Sequence, residues 1–118
     1  MGSLRVGVVG AGIVGVTSAL QVLAAYPSAD VTLMADKFNQ DTTSDGAAGI
    51  FRPGTSFSGP TPDITRKWLV DTWEYYQQLL DEDCGISRIS GYIFSSTSPD
   101  LVRNHLLEHL VPVYRAAT

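Results

Sequence analysis

The chain has little sulfur and no excess of positive charge. Its 118 residues include a single cysteine, Cys84, and eight lysine or arginine residues against twelve aspartate or glutamate residues, for a net charge of −4. One cysteine excludes an internal disulfide, and we interpret Cys84 as a structural thiol because no metal-ligating partners lie near it in the sequence. The acidic balance argues against binding to nucleic acid or to an anionic membrane surface, since no basic patch is available to pair with phosphates.

Internal repeats and low-complexity tracts are also lacking, and the length fits at most one domain with a modest core. The longest run without a charged residue, Val6–Ala29, could be mistaken for a signal peptide or a membrane span. Polar residues interrupt it, however, and its glycines follow a fingerprint spacing. Buried parallel strands are continuous apolar runs as well, so we predict a soluble α/β protein instead of a targeting segment.

A glycine-rich turn follows the first apolar, β-branched run. Val6–Val9 is typical of a short buried strand, and the next residues, Gly10-Ala11-Gly12-Ile13-Val14-Gly15, fit the pattern G-x-G-x-x-G. Gly10 permits the tight turn from strand to helix, Gly12 lets the backbone approach a pyrophosphate, and Gly15 lets the helix pack close to the strand. The N-terminus of the following helix would attract a diphosphate through its free N–H groups and dipole.

The elements predicted around these glycines support a dinucleotide-binding site. The sequence predicts a helix over Ile13–Ala25, ended by Tyr26-Pro27, and a second strand over Asp30–Ala35 that completes a right-handed βαβ unit. Asp36 then follows 21 residues after Gly15, about where a carboxylate accepts hydrogen bonds from an adenosine ribose. The acid favours a free 2′-hydroxyl and therefore disfavours NADP, while FAD and NAD both remain open.

A long polar stretch, residues 37–62, separates this unit from the second half of the chain. Its segment 42–49 mixes hydroxyl groups with very small residues, which suits either close approach of a planar ligand or a solvated loop with a short helix over Gly46–Ile50. Thr61 is then predicted as the N-cap of a helix that begins at Pro62 and continues to Leu80. Its predicted core stripe consists of Ile64, Trp68, Thr72, Tyr76 and Leu79/Leu80. Short strands are predicted over Ile86–Ile89 and Tyr92–Ser95, and a last helix from Ser98-Pro99-Asp100 to Leu110.

That last predicted helix contains His105-Leu106-Leu107-Glu108-His109, which matches the H-x-x-E-H pattern of some metallopeptidases. On a helix the two imidazoles would share one face, as zinc binding needs. A third protein ligand is not identifiable downstream, and the same residues suit a solvated helix face. We therefore predict no metal site.

Two blocks, taken together, are more specific than the fingerprint alone. The first is Val8-Val9-Gly10-Ala11-Gly12-Ile13-Val14-Gly15, and the second is Asp36-Lys37-Phe38 with Asp41-Thr42-Thr43-Ser44-Asp45-Gly46-Ala47-Ala48-Gly49. In these blocks, and in Ile89-Ser90-Gly91-Tyr92, the chain resembles the D-amino acid oxidase family, and within it most closely the D-aspartate oxidases. Gly46 replaces a more usual valine, which loosens the loop backbone.

The resemblance implies a non-covalently bound FAD. Its diphosphate would lie on the turn formed by Gly10, Ala11, Gly12, Ile13 and Val14. Asp36 would hold the adenosine ribose with Lys37 beside it, although Lys37 alone also suits a solvated cation. The residues expected to donate to the diphosphate and border the isoalloxazine ring are Thr42, Thr43, Ser44, Gly49 and Ile50.

The reaction implied by the resemblance is oxidative deamination of a D-amino acid to a 2-oxo acid and ammonia, with dioxygen reduced to hydrogen peroxide. The family forms its substrate-binding domain from later sequence, so we expect this chain to be an N-terminal portion without catalytic residues. Within it, residues 1–58 would form the dinucleotide-binding unit and flavin loop, and residues 59–118 would begin an α+β substrate domain. The resemblance implies a peroxisomal location, yet Ala116-Ala117-Thr118 is not a peroxisomal tripeptide, so a cytoplasmic location is the alternative.

Substrate preference and competing functions remain open at this point. Arg52 follows the expected flavin loop, and we hypothesise that it favours an acidic substrate such as D-aspartate; a surface arginine before Pro53 is the alternative. Two other functions compete with FAD binding: a non-catalytic product that binds nucleotide weakly, and an NAD-binding domain with Asp36 on the ribose. Flavin absorbance or NADH retention would separate these hypotheses.

Overall fold

The computed structural model describes residue 2 and residues 4–47, 49–55 and 59–117. The chain divides into two compact units, Met1–Gly49 and Ile50–Thr118. The division expected after residue 58 adjoins residues 56–58, which lie outside the described residues, as do Ala48 of the predicted flavin loop and Thr118.

The first unit contains the predicted βαβ arrangement. Strand β1 (Arg5–Val9) leads into helix α1 (Ile13–Ala25), and strand β2 (Asp30–Met34) pairs with β1 in parallel, from Arg5 opposite Asp30 to Val9 opposite Met34. A parallel pair needs a crossover connection, and α1 supplies it. The expectation of an α/β unit with a parallel sheet is confirmed, and the arrangement is consistent with part of a Rossmann-type fold.

Helix α1 leaves much of its apolar surface open. None of its residues is buried, and the side chains of Ile13, Val14 and Leu20 are 62%, 77% and 52% exposed. The helix ends where the sequence predicts, because Tyr26 precedes Pro27 and leaves the helical region at φ −133° and ψ 77°. The two strands of this unit therefore cover little of the helix.

The polar stretch after β2 forms two short turns of helix. A 3-10 helix, Asn39–Asp41, is followed by helix α2 (Thr43–Gly46). The predicted short helix over Gly46–Ile50 was therefore wrong by several residues. Thr42 acts as the N-cap, because its Oγ1 accepts a hydrogen bond of 3.4 Å from the N–H of Asp45 and so starts the helix earlier.

The second unit is organised on helix α3 (Pro62–Gln78), which begins at the predicted N-cap Thr61. It ends at Gln78, short of the predicted Leu80, because Leu79 and Leu80 enter a turn. The predicted core stripe was also wrong in part: Trp68 is 52% exposed, and Thr65 is the buried residue of this helix. Among the helices in the described residues, none has both the length and the apolar character needed to cross a bilayer.

The remainder of the second unit departs most from prediction. No strand forms within the described residues 86–95, since no neighbouring strand pairs with this segment there. The last predicted helix is reduced to a 3-10 helix, Pro99–Val102, followed by turns. Side chains divert its backbone: Asn104 donates its N–H to Tyr114 Oη at 2.6 Å, and the Leu106 N–H donates to Asn104 Oδ1 at 3.0 Å.

Candidate dinucleotide-binding site

The glycine turn has the backbone geometry that its spacing predicts. Gly10 has φ +107°, a conformation that side-chain-bearing residues rarely adopt, and its N–H donates a 2.7 Å hydrogen bond to the Met34 carbonyl. A Cβ on Gly15 would overlap the carbonyl oxygen of Gly10. The first and third glycines thus let the chain turn sharply from β1 and let α1 lie directly against that turn.

The N-terminus of α1 lies at this turn without an acidic residue in its first turn. Helices α2 and α3, by contrast, carry Asp45 and Asp63 in theirs. An aspartate there would repel a phosphate and compete for the same N–H groups. The first turn of α1 therefore keeps the partial positive charge of its dipole available to an anion.

Ser44 contacts this N-terminus from the second sequence block. Its Oγ accepts a hydrogen bond of 2.9 Å from the backbone N–H of Ile13, across 31 positions of sequence. A Cβ on Gly12 would lie only 2.8 Å from that oxygen. The structure thus brings the fingerprint and the more specific block together at one point.

Asp36 lies at the same edge of the sheet as the glycine turn. It follows β2 by two residues, and β2 ends at Met34, which pairs with Val9 and accepts the Gly10 N–H. The carboxyl ends of neighbouring parallel strands meet at one edge, where α/β folds bind their ligands. Asp36 and Lys37 are both exposed there.

The other predicted cofactor-binding residues differ in their contacts and in their positions in the fold. Thr42 uses its hydroxyl locally, donating to the Asn39 carbonyl at 2.8 Å while capping α2. Thr43 is exposed on α2, Ala11 precedes Gly12 in the turn, and Val14 is the second residue of α1. Gly49 closes the first unit, whereas Ile50 opens the second, so these two predicted cofactor-binding residues belong to different units. The role of each toward a cofactor stays a prediction.

Arg52 lies in the second unit between two anchored neighbours. Phe51 packs its ring against Trp73 and Tyr76, with centroids 5.6 and 6.0 Å apart, and the Pro53 carbonyl accepts a hydrogen bond from Asn104. Arg52 itself is exposed. Its suggested preference for an acidic substrate stays a prediction.

The H-x-x-E-H residues do not have the geometry that a zinc helix requires. Residues 105–110 form turns, and His109 adopts φ +65°, so the two imidazoles do not share a helix face. Glu108 instead pairs with Arg103 at 2.7 Å and His105 at 2.9 Å, beside a cleft of about 350 Å³. Hydrogen bonding from Arg103, then from His105, lowers the pKa of Glu108 below its usual value. No group of three potential metal ligands occurs in the described part of the chain.

Sequence reasoning missed two partners at the turn. It placed Ser44 among ligand-binding residues but not on the N–H of Ile13, and it did not identify Met34 as the acceptor for Gly10. The hydroxyl-rich composition of residues 42–44 was the available signal. Such composition indicates hydrogen bonding but does not name a partner 31 positions away.

Comparison with known proteins identifies the family. A family model described as FAD dependent oxidoreductase (DAO) matches residues 5–114. The chain belongs to this family. The match includes the glycine turn, Asp36 and the 42–50 segment, so the resemblance stated from the sequence is confirmed.

The curated relatives agree with the family assignment. Human D-aspartate oxidase is 38% identical over 108 residues, which cover 86% of this chain and 31% of that protein. D-aspartate oxidase 1 of Caenorhabditis elegans is 30% identical, covering 82% of the chain and 28% of the relative. D-amino acid oxidase of Dugesia ryukyuensis is 31% identical over 77 residues, 65% of the chain and 23% of the relative. The chain thus spans less than a third of these relatives, and no solved structure matches it.

The residues of the turn fit the cofactor of this FAD-dependent family. A diphosphate needs N–H donors without a competing acid, and the first turn of α1, which carries no acidic residue, meets this requirement. An adenosine ribose needs an acceptor at the end of the second strand, where Asp36 lies.

Proposed function

We propose that the chain binds FAD through the glycine turn, Asp36 and the 42–50 segment, and that it supplies the cofactor site of a D-amino acid oxidase. The observation that carries this proposal is the convergence of Gly10, Ser44 and the end of β2 at the N-terminus of α1. Membership of an FAD-dependent family supports FAD over NAD as the dinucleotide.

Each group would have a distinct part in holding the cofactor. The first turn of α1 would donate to the diphosphate, which would lie beside Ala11, Gly12, Ile13 and Val14. Asp36 would accept hydrogen bonds from the ribose hydroxyls, with Lys37 beside the adenosine. The segment from Thr42 to Ile50 would continue toward the isoalloxazine end. When bound, FAD would accept two electrons from the substrate, and dioxygen would then reoxidise the reduced flavin.

For a protein of the relatives' full length we propose oxidative deamination of D-amino acids, with acidic ones preferred. The relatives named D-aspartate oxidase in human and nematode support an acidic substrate, and the flatworm D-amino acid oxidase supports the broader class. The products would be a 2-oxo acid, ammonia and hydrogen peroxide. No residue of this chain is assigned to catalysis.

The cofactor assignment is tested by titrating the 118-residue chain with FAD and, separately, with NADH, while following fluorescence quenching and the visible flavin spectrum. FAD should bind, and Asp36→Ala should weaken its binding about tenfold, since a hydrogen bond to a charged group contributes roughly 1.5 kcal/mol or more. Asp81→Ala, an exposed acid in the turn after α3, is the matched control. Retention of NADH with no affinity for FAD would refute the proposal and favour an NAD-binding domain.

A further inference from the structure

Asp45 and Gly46 form a pair of residues that can rearrange chemically. Asp45 is the only one of the nine aspartates that is followed by glycine, and neither asparagine is followed by glycine. In an Asp-Gly pair, the backbone nitrogen of the glycine can approach the side-chain carboxyl carbon of the aspartate, because the second residue has no Cβ to hinder the approach. The bond between Asp45 and Gly46 is therefore where the main chain can most readily transfer to an aspartate side chain.

The structure leaves this pair accessible. Asp45 and Gly46 are both exposed, and none of the ion pairs found among the described residues involves Asp45. A Cβ on Gly46 would meet nothing within 4 Å, and Gly46 does not have the positive φ that favours glycine. The fold does not require glycine at this position, so a side chain that hinders the reaction should leave the structure intact.

Helix α2 restrains the pair weakly. The reaction requires the Asp45 carboxyl carbon to turn toward the Gly46 nitrogen, which a regular helix resists. However, α2 has only four residues and none of them is buried. The hydrogen bond that Ser44 accepts from the N–H of Ile13 is exposed to solvent as well. A helix this short is not stable by itself, so α2 can open locally while the strands of the first unit stay paired.

We propose that Asp45 isomerises spontaneously to isoaspartate and that this change dismantles α2. The Gly46 nitrogen forms a bond to the carboxyl carbon of Asp45, and one carboxyl oxygen leaves as water with the amide proton and a proton from solvent. Water then adds to the main-chain carbonyl carbon of the resulting cyclic imide and breaks its bond to the Gly46 nitrogen, which regains its proton. The chain now continues through the former side chain. The water that was lost is regained, and nothing is oxidised or reduced.

Isomerisation lengthens the backbone inside α2. The Cβ of Asp45 becomes a main-chain atom between its Cα and the Gly46 nitrogen. An α-helix is closed by bonds from each N–H to the carbonyl four residues earlier, so in this four-residue helix every such bond spans the altered linkage. Without α2, Ser44 loses the position from which its Oγ accepts from the Ile13 N–H at 2.9 Å. The rearrangement needs no cofactor, so it stands apart from the proposed FAD function.

The reaction is measured by incubating the 118-residue chain at one fixed pH and temperature and resolving its peptides by liquid chromatography and mass spectrometry. The peptide that contains Asp45 should acquire an isomer of identical mass, which the protease Asp-N no longer cleaves before residue 45. Asp41, exposed in the preceding 3-10 helix and followed by Thr42, is the internal control. Isomerisation should be about tenfold faster at Asp45 or more, because threonine carries a branched Cβ that glycine lacks. Equal rates at the two aspartates would overturn the proposal.

Two variants test the cause of the reaction. Gly46→Ala should slow isomerisation at Asp45 about tenfold while leaving the amide protection of β1 and β2 unchanged, since the added methyl enters open space. Asp45→Asn should give the same isoaspartate product faster, because its side-chain amide forms the same imide by releasing ammonia. An unchanged rate in folded Gly46→Ala, or no isoaspartate from Asp45→Asn, would contradict the assigned chemistry.

The effect on α2 is followed through the Ile13 amide. In isomerised chain separated from unreacted chain, hydrogen exchange of this amide, measured by NMR, should be about fivefold faster, since one net hydrogen bond is lost. Asp45→Glu is the matched control: it keeps the negative charge but would need a larger ring, so a sample aged in parallel should keep its Ile13 protection. If the isomerised chain protected Ile13 as well as the unreacted chain does, the proposed loss of α2 would be wrong.

Discussion

The side-chain amide of Asn104 donates a hydrogen bond of 2.8 Å to the carbonyl oxygen of Pro53, 51 positions earlier in the chain. The same residue, only 3% exposed, donates its backbone N–H to Tyr114 and accepts from the Leu106 N–H. Asn104 therefore connects the segment after Phe51 with the turns near the end of the second unit. These bonds explain why the chain leaves a helical path here.

Replacing Asn104 should destabilise the second unit. Asn104→Ala removes the side-chain amide and leaves the Pro53 carbonyl and the Leu106 N–H without their partner, so we expect a loss of about 1–3 kcal/mol in the free energy of unfolding. Urea denaturation followed by the fluorescence of Trp68 and Trp73 measures this loss. Gln78→Ala, an exposed site at the end of α3, is the control, and an equal effect of the two changes would contradict the assigned role.

Gly15→Ala should destabilise the first unit through a steric conflict. The added methyl would overlap the Gly10 carbonyl oxygen, so α1 must move away from the turn, at a cost of roughly 1–3 kcal/mol as for other overpacked sites. Far-UV circular dichroism during denaturation, supported by amide exchange in β1 and β2, measures the change. Gly46→Ala adds the same methyl in open space and should leave stability the same or slightly higher.

Thr61 should stabilise helix α3 as its N-cap. Its Oγ1 accepts from the Ile64 N–H at 3.2 Å, so Thr61→Ala is expected to cost about 1 kcal/mol, whereas Thr61→Ser keeps the acceptor and most of the stability. Comparing the denaturation midpoints of the two variants measures the cap. If serine and alanine proved equally destabilising, the hydroxyl would not be the cause.

Glu108 should make the stability of the second unit depend on acid pH. Because Arg103 and His105 lower its pKa below the usual 4.5, its contribution is present above that value and is lost as the pH falls through the lowered pKa. The stability difference between wild type and Glu108→Gln should therefore be largest well above pH 4.5 and disappear in stronger acid. Denaturation at a series of pH values measures it.

The partners of Glu108 provide the control for that experiment. The double variant Arg103→Ala, His105→Ala removes the groups that lower the pKa, so introducing Glu108→Gln into it should change the pH profile little. If the effect of Glu108→Gln had the same pH dependence in this double variant, the pairing of Glu108 with Arg103 and His105 would not be its cause.

Local sequence signals predicted much of the first unit and the start of α3 correctly. The β-branched run, the glycine spacing and Pro27 act on their immediate neighbours, and the bounds of α1 and the start of α3 were predicted correctly from such signals. Prediction failed where side chains compete with regular backbone bonds. Thr42 starts α2 early, and Asn104 diverts the last predicted helix, because a well-placed side-chain acceptor replaces the next helical bond.

The sequence by itself determined the βαβ unit, the turn at Gly10 and the cap at Thr61, since each depends on conformational limits acting within a few residues. Only the tertiary structure decided that Ser44 meets the N–H of Ile13, that Gly12 makes room for it, and that Asn104 bonds Pro53. Those contacts join residues far apart in the chain, and a hydroxyl or amide finds its partner only after the backbone has brought the two together.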